Sequence, residues 1–330
     1  MIAESPEKLT PALQAGLFRC MLRIRLVEEA IADAYPRQEM RCPVHLSIGQ
    51  EAVAAGTAAA LARADLAMSG HRSHAHYLAK GGDLRAMIAE LMGRQDGCCR
   101  GRGGSMHLID RSVGFMGAVP IVGSTIPIAV GLAFAEKLRG QTRVTAAFLG
   151  EAATEEGVFH ESANFASLHR LPVLFVCENN LYSVYSPMAV RQPAHREVFE
   201  VASAHGIPAC QVDGNDPEAV FNQVVAARRH VRSGQGPFFL ELKTYRWREH
   251  CGPGFDNHIG YRKEAEFLDW KKRDPLENYS RKLISAGLLT EEGVHELSEK
   301  ISAEIAEAMA FGRKSPFPRG LADFVYSIQP

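Results

Sequence analysis

A chain of 330 residues, 46% apolar and 23% charged with a formal charge of -1, has the composition of an ordinary folded protein with material for a sizeable core. The near-neutral balance excludes a general attraction to polyanions, so neither nucleic acid nor a membrane surface is an expected partner. Seven cysteines, an odd number with no CxxC, suit free thiols in a reducing compartment, and the opening MIAESPEKLT has no apolar segment of a targeting signal; the expected location is the cytoplasm.

Thr10-Pro11 is a cap-then-proline helix start, and Leu13, Leu17, Met21, Ile24 and Val27 carry an apolar stripe to about Tyr35, predicting a packing helix within an N-terminal arm over about 1–40. VHLSIGQEAVAAGTAAAL begins irregular and becomes an Ala-rich helix from about Gln50, with His45 in the loop before it; taken alone, His45 is a surface imidazole. GHRSHAH, residues 70–76, crowds three histidines together. A metal site there lacks a distant Cys or His pair and has Arg72 in its midst, while Arg72 alone reads as a solvated charge at a helix start. After a helix over Asp83–Gly93, the glycine density from Arg94 to Gly117 means a loop that approaches something closely. One RGG-like copy at Arg100 and Arg102 is too little for nucleic acid, and Cys98 and Cys99 read as packing thiols. Val119–Ala135 is apolar but broken by Pro120, Gly123, Ser124, Thr125 and Pro127 and too short to span a bilayer. It is expected to be a buried helix capped by Ser124, its bare stripe of Pro127, Gly131 and Ala135 open to a subunit or cofactor contact.

Arg143–Leu149 and Leu171–Cys177 are near-continuous apolar runs of strand length, as parallel strands covered on both faces require. Between them, Thr154 as cap, Glu155 and Glu156 in the first turn and Val158, Phe159, Ala163 and Ala166 at helical spacing predict the crossover helix of a βαβ unit. Glu151 and Asn180 then meet at the carboxyl edge of the sheet, where open α/β folds bind ligands, and their oxygens suit Mg2+; the same residues also describe a plain crossover ending in an Asn-Asn turn. A helix near Glu197–His205, a strand over Pro208–Val212, a helix capped by Asp216 with Pro217, and a strand in PFFLELKTY form a second repeat. The aperiodic stretch 246–262 follows a strand end and reads as a functional loop; residues 263–330 read as a helical region. No linker divides the chain, so one α/β domain over 1–330 is expected, a parallel sheet with helices on both faces and helical extensions at both ends. The absence of GxxxxGK, and of GxGxxG after a strand, speaks against a nucleotide-binding domain.

Three stretches together carry a resemblance. Gly150-Glu151-Ala152 followed by Asn179-Asn180 resembles the thiamine diphosphate motif, Gly-Asp-Gly and then Asn-Asn after about thirty residues. His45-Leu46-Ser47-Ile48-Gly49-Gln50-Glu51-Ala52 and Gly101-Arg102-Gly103-Gly104-Ser105-Met106-His107 resemble segments of the alpha subunits of thiamine diphosphate-dependent 2-oxo acid dehydrogenases of the pyruvate, acetoin and branched-chain type. The likeness runs over nearly the whole chain and implies a thiamine diphosphate-binding fold.

The resemblance implies that Glu151, Asn180 and the Tyr182 carbonyl hold Mg2+ or another divalent ion. It further implies that His71 and Arg72 grip the diphosphate, that Val122, Gly123, Ala152 and Ala153 lie beside the cofactor, and that His45 and His250 serve proton transfer or charge stabilisation. A beta subunit in an α2β2 heterotetramer is implied, with a 2-oxo acid or acetoin as substrate and a lipoyl acyltransferase as onward partner. This chain departs at Glu151 for Asp, Ala152 for Gly, His71 for an aromatic residue, Arg248-Glu249 for His-Gly and Cys251 for serine. Two alternatives stay open: a carboligase or decarboxylase that hands its carbanion to a small acceptor, and a degenerate non-catalytic partner subunit.

Overall fold

The computed structural model describes residues 9–320, so expectations that fall on 1–8 and 321–330, among them the end of SPFPRGLADFVY, lie outside the described residues. Thr10 accepts a hydrogen bond from the Leu13 amide and Pro11 sits where no donor is needed, so α1 (Pro11–Ala34) starts as predicted and buries Leu17, Met21, Ile24, Val27 and Ile31. There follow α2 (Glu51–Ala60), β1 (Leu66–Ser69), α3 (His74–Ala79), α4 (Leu84–Leu91), β2 (Phe115–Ala118), α5 (Thr125–Leu138), β3 (Thr145–Gly150), α6 (Gly157–Leu168) and β4 (Val173–Asn179). A small hairpin, β5 (Tyr182–Ser183) and β6 (Ser186–Pro187), leads to α7 (Met188–Arg191), α8 (Val198–Ser203), β7 (Ala209–Asp213), α9 (Pro217–His230) and β8 (Phe238–Lys243). Three helices finish the described chain: α10 (Glu264–Lys271), α11 (Pro275–Ser285) and α12 (Glu291–Lys314).

Six strands form one parallel sheet in the order β2-β1-β3-β4-β8-β7. Because successive side chains alternate faces, Ala146, Phe148, Leu174, Val176 and Leu240 pack into a core with α1, α2 and α9, while Ala147, Leu149, Phe175, Cys177 and Phe239 pack on the other side with α5 and α6. This is the expected α/β arrangement with helices on both faces and at both ends. From β1 the chain goes to one side to make β2 and returns on the other to make β3, and such a reversal opens a crevice at the strands' carboxyl ends. Gly150 pairs with Glu178, so Glu151 emerges beside Asn179 and Asn180.

Local details differ from the sequence expectations. Strands β1 and β2, four residues each, carry too little pattern to be read in advance. Thr154 does not cap α6: residues 151–155 form a tight 3-10 turn, the Thr154 hydroxyl donates back to the Glu151 carbonyl, and the helix begins only at Gly157. Ser124 likewise donates to the Ile121 carbonyl at 2.8 Å instead of capping α5. Nor is α5 wholly buried, since Pro127, Ile128 and Gly131 are exposed on one side, continuous with exposed Ile121 and Val122. All seven cysteines are free, and among the described residues no helix is long and apolar enough to cross a membrane.

Candidate active site

The loop bearing His45 is held by buried charge. Arg25 of α1 pairs with Glu51 at the start of α2 and with Asp274, the cap of α11, at 3.2 Å. Glu51 also accepts the Gly49 amide. Gly49 has φ +101° and lies so close to the Tyr245 carbonyl and the Trp247 ring that no Cβ fits, which is the physical content of the glycine in His-Leu-x-x-Gly-Gln-Glu-Ala. Glu28 completes the brace, accepting the Ser47 amide at 2.6 Å and meeting His74 Nδ1 at 3.1 Å. His74 Nε2 in turn meets the Ser105 hydroxyl at 2.7 Å.

The three histidines of residues 70–76 therefore part company. His74 is structural. His71 stands with His45 and His250, ring centroids 4.7, 5.0 and 5.3 Å apart, and Arg72 ties their loops together by donating to the Leu46 and His250 carbonyls. Burial and the Arg72 charge push His45, His71 and His250 down to about 2, about 4 and about 3, so all three imidazoles are neutral at pH 7. Their ligand atoms lie within 4.8 Å of one another, but the guanidinium beside them favours an anion over a dication. His76 turns to the cavity floor, stacked on Phe148 at 3.8 Å, with Ser69 Oγ 2.8 Å from Nδ1 and Glu178 Oε1 3.2 Å from Nε2.

His45, His71, Arg72, His76 and His250 open on one cleft of about 210 Å3 at the carboxyl ends of β1, β3 and β4. Its lining includes His45, His71, Arg72, Val122, Gly123, Glu151, Ala152, Ala153, Asn180, Tyr182 and His250, every residue that the resemblance assigns to the site. Four further polar residues belong to the cleft or touch it without having been assigned to it from the sequence. Gln50 accepts the Asn180 carboxamide at 3.1 Å, His76 and Glu178 form the floor pair, and Arg191 reaches Glu151 Oε1 at 2.6 Å from outside the lining. Only Gln50 lay inside a recognisable motif. Buried and without hydrogen-bond partners in the wall are His45 Nδ1 and Gln50 Nε2, while His76 Nε2 and Glu178 Oε1 face only each other, at 3.2 Å. Polar atoms in that condition are costly unless a ligand meets them.

The glycine-rich loop closes around a side chain, and its Met106 lines the cleft. Glu90 is buried, and its two oxygens accept four backbone amides, those of Cys99, Gly101, Gly103 and Gly104, at 2.7 to 3.0 Å. A Cβ on Gly97 or Gly101 would collide with Glu90 or with the Gly93-Arg94 backbone. The 246–262 loop is pinned as well: Asp256 bridges buried Arg246 and Arg262, and Tyr261 donates to it at 2.6 Å. Arg248 and Glu249, two of the three departures in this loop, are spent inside it, Arg248 over the Phe255 ring at 4.3 Å and Glu249 accepting the Gly254 amide at 2.7 Å, while Cys251 is exposed.

Comparison with known proteins agrees with this geometry. The family described as Dehydrogenase E1 component matches residues 19–319. The pyruvate dehydrogenase E1 component subunit alpha of Rickettsia felis is 36% identical over 315 residues, 95% of each chain. That of Zymomonas mobilis is 40% identical over 303 residues, covering 91% of this chain and 84% of its own. The mitochondrial subunit alpha-1 of Oryza sativa is 37% identical over 312 residues, 94% of this chain and 78% of its own. With its parallel sheet, its cleft at the strand reversal and these relatives along nearly its full length, the chain belongs to the Dehydrogenase E1 component family, among alpha subunits.

Proposed function

We propose that this chain is the alpha subunit of a thiamine diphosphate- and metal-dependent enzyme that decarboxylates a 2-oxo acid, works with a beta subunit in an α2β2 assembly, and passes the acyl unit to a lipoyl carrier. The observation that carries the reading is the gathering of every implicated residue around one cleft whose wall holds orphaned polar atoms. A degenerate subunit would have no physical reason to keep such atoms buried and unpaired. The donor set fits the cofactor: a cation and imidazoles for a diphosphate, a carboxylate and a carboxamide for Mg2+.

When bound, thiamine diphosphate supplies the electron sink for loss of CO2. The chain's own residues bind and orient. Arg72, fixed by two carbonyls, and His71 hold the diphosphate charge; Glu151, Asn180 and the Tyr182 carbonyl hold the metal ion. His45 and His250, neutral as the protein stands, accept a proton or donate to a negative oxygen at the cleft. The exposed apolar side of α5 meets the beta subunit; since Ile121, Val122 and Gly123 also line the cleft, a partner seated there shuts water out.

The test is cofactor titration and CO2 release from a panel of 2-oxo acids, for the chain alone and for the chain co-expressed with a beta-type partner, followed by acylation of a lipoyl domain. Turnover only by the pair is expected. Full turnover by the isolated chain would sink the two-subunit reading, and turnover without lipoyl acylation would favour the small-acceptor enzyme.

A further inference from the structure

Glu151 is one methylene longer than the aspartate of the family motif and has three side-chain torsions to fix, yet it is not loose. Arg191, the last residue of α7, donates to Glu151 Oε1 at 2.6 Å and to Glu155 Oε1 at 2.5 Å, and its Nε donates to the Ser186 carbonyl at 3.2 Å. Glu155 is held in turn by Gln192 Nε2, and Gln192 Oε1 accepts the Arg196 Nε at 2.8 Å. Three points of attachment leave the guanidinium little freedom. Glu151 lines the cleft and Arg191 does not, so the guanidinium holds Oε1 from outside the lining and Oε2 is the oxygen that Arg191 leaves free. One nitrogen of the planar fork holds Glu151 and the other Glu155, and a charge-assisted bond on Oε1 limits the directions open to Oε2.

Resting on the cofactor reading above, we propose that Arg191 is a positioning residue for the divalent ion: by holding Oε1 it aims Oε2 of the longer carboxylate at the place the ion takes beside Asn180. Groups that hold a metal ligand from behind change metal affinity by about 10- to 100-fold when removed. The hairpin β5-β6 and helix α7 then serve the site directly, because they carry Arg191 from the end of β4 back to the end of β3. The opposite effect is also physically available, since a cation on the carboxylate repels a second cation. The sign of the change on removing Arg191 decides between them.

The experiment uses Mn2+ in place of Mg2+, with the full chain co-expressed with its beta-type partner, and reads bound ion by electron paramagnetic resonance at saturating thiamine diphosphate. Arg191→Ala is expected to weaken Mn2+ at least about tenfold, and Arg191→Lys, which keeps one charged donor, to fall between. Because Arg191→Ala removes several contacts of α7, Glu155→Gln is run beside it. It weakens one anchor of the guanidinium without touching Glu151 and is expected to weaken Mn2+ in the same direction, with the thermal midpoint unchanged. Unchanged or tighter Mn2+ in Arg191→Ala and Glu155→Gln would overturn the proposal alone. A parent protein that takes up no Mn2+ with thiamine diphosphate would overturn the cofactor reading and this proposal with it.

Discussion

Gln50 accepts a hydrogen bond from Asn180 Nδ2 at 3.1 Å, joining the turn before α2 to the end of β4 across 130 residues of chain. With its nitrogen held there and its oxygen toward the Tyr182 amide at 3.3 Å, the Asn180 carboxamide has one orientation. Gln50→Leu keeps the volume and removes the acceptor. Metal-dependent binding of thiamine diphosphate should weaken by about tenfold or more in calorimetric titration, with little change in thermal midpoint. Equal affinity would mean that Asn180 needs no holding or does not bind the ion.

Replacing the carboxylate itself tests the metal assignment. Glu151→Ala should lose most metal-dependent cofactor binding and leave the diphosphate to Arg72 and His71, while Glu151→Asp should retain it, since an acidic oxygen still faces the cleft. Titration of thiamine diphosphate at fixed metal reads both. Parent-like binding by Glu151→Ala would remove Glu151 from the ligand set.

Much of this site is legible in the sequence because its residues sit at strand ends, where periodicity breaks and polar residues stand out. Glu151 after β3, Asn180 after β4 and His71-Arg72 after β1 are of that kind. What escapes is pairing across distance: nothing local marks Arg191 for Glu151, His76 for Glu178 or Gln50 for Asn180. The cap expectations fail for a different reason. At Ser124 and Thr154 the hydroxyl reaches a carbonyl three residues back in a tight turn, and that competes with capping forward. The bare stripe of Pro127, Gly131 and Ala135 points to an open side of α5, but a buried apolar helix and an apolar interface helix have the same composition, so the exposure of Ile121, Val122 and Ile128 beside it needs the fold to be seen.

Glu90 should prove to be the anchor of the glycine-rich loop. Its carboxylate satisfies four amides, and leaving buried donors unmet costs about 1–3 kcal/mol each. Glu90→Ala should therefore cost at least about 3 kcal/mol in urea unfolding, and Glu90→Gln less, since one acceptor oxygen remains. A loss under about 1 kcal/mol for Glu90→Ala would show that water replaces the carboxylate there.

Gly131 gives a clean probe of the α5 surface. A Cβ placed on it meets nothing within 4 Å in this chain, and the position is exposed. Gly131→Arg should consequently fold with the parent's thermal midpoint and yet fail to co-purify with a beta-type partner. Normal co-purification would place the partner elsewhere.

The histidine cluster predicts an acid-sensitive stability with a definite sign. In the folded chain His45, His71 and His250 are held at about 2, about 4 and about 3, against 6.5 when unfolded. Below pH 6.5 the unfolded chain binds protons that the folded chain refuses, so unfolding is favoured as pH falls, and the effect is absent at pH 8, where neither state is protonated. Lowering pH from 6.5 to 4 should thus reduce the thermal midpoint of the cofactor-free protein. His71→Phe removes one titrating group while keeping a ring in the cluster, so its midpoint should fall less steeply over the same window. A bound diphosphate works in the same direction, because its negative charge favours the protonated imidazoles and offsets the Arg72 charge that suppresses them. Scanning calorimetry of the parent and His71→Phe, each with and without thiamine diphosphate, measures all four slopes. Identical slopes for parent and variant would show that His71 binds its proton as readily in the folded chain as in the unfolded one.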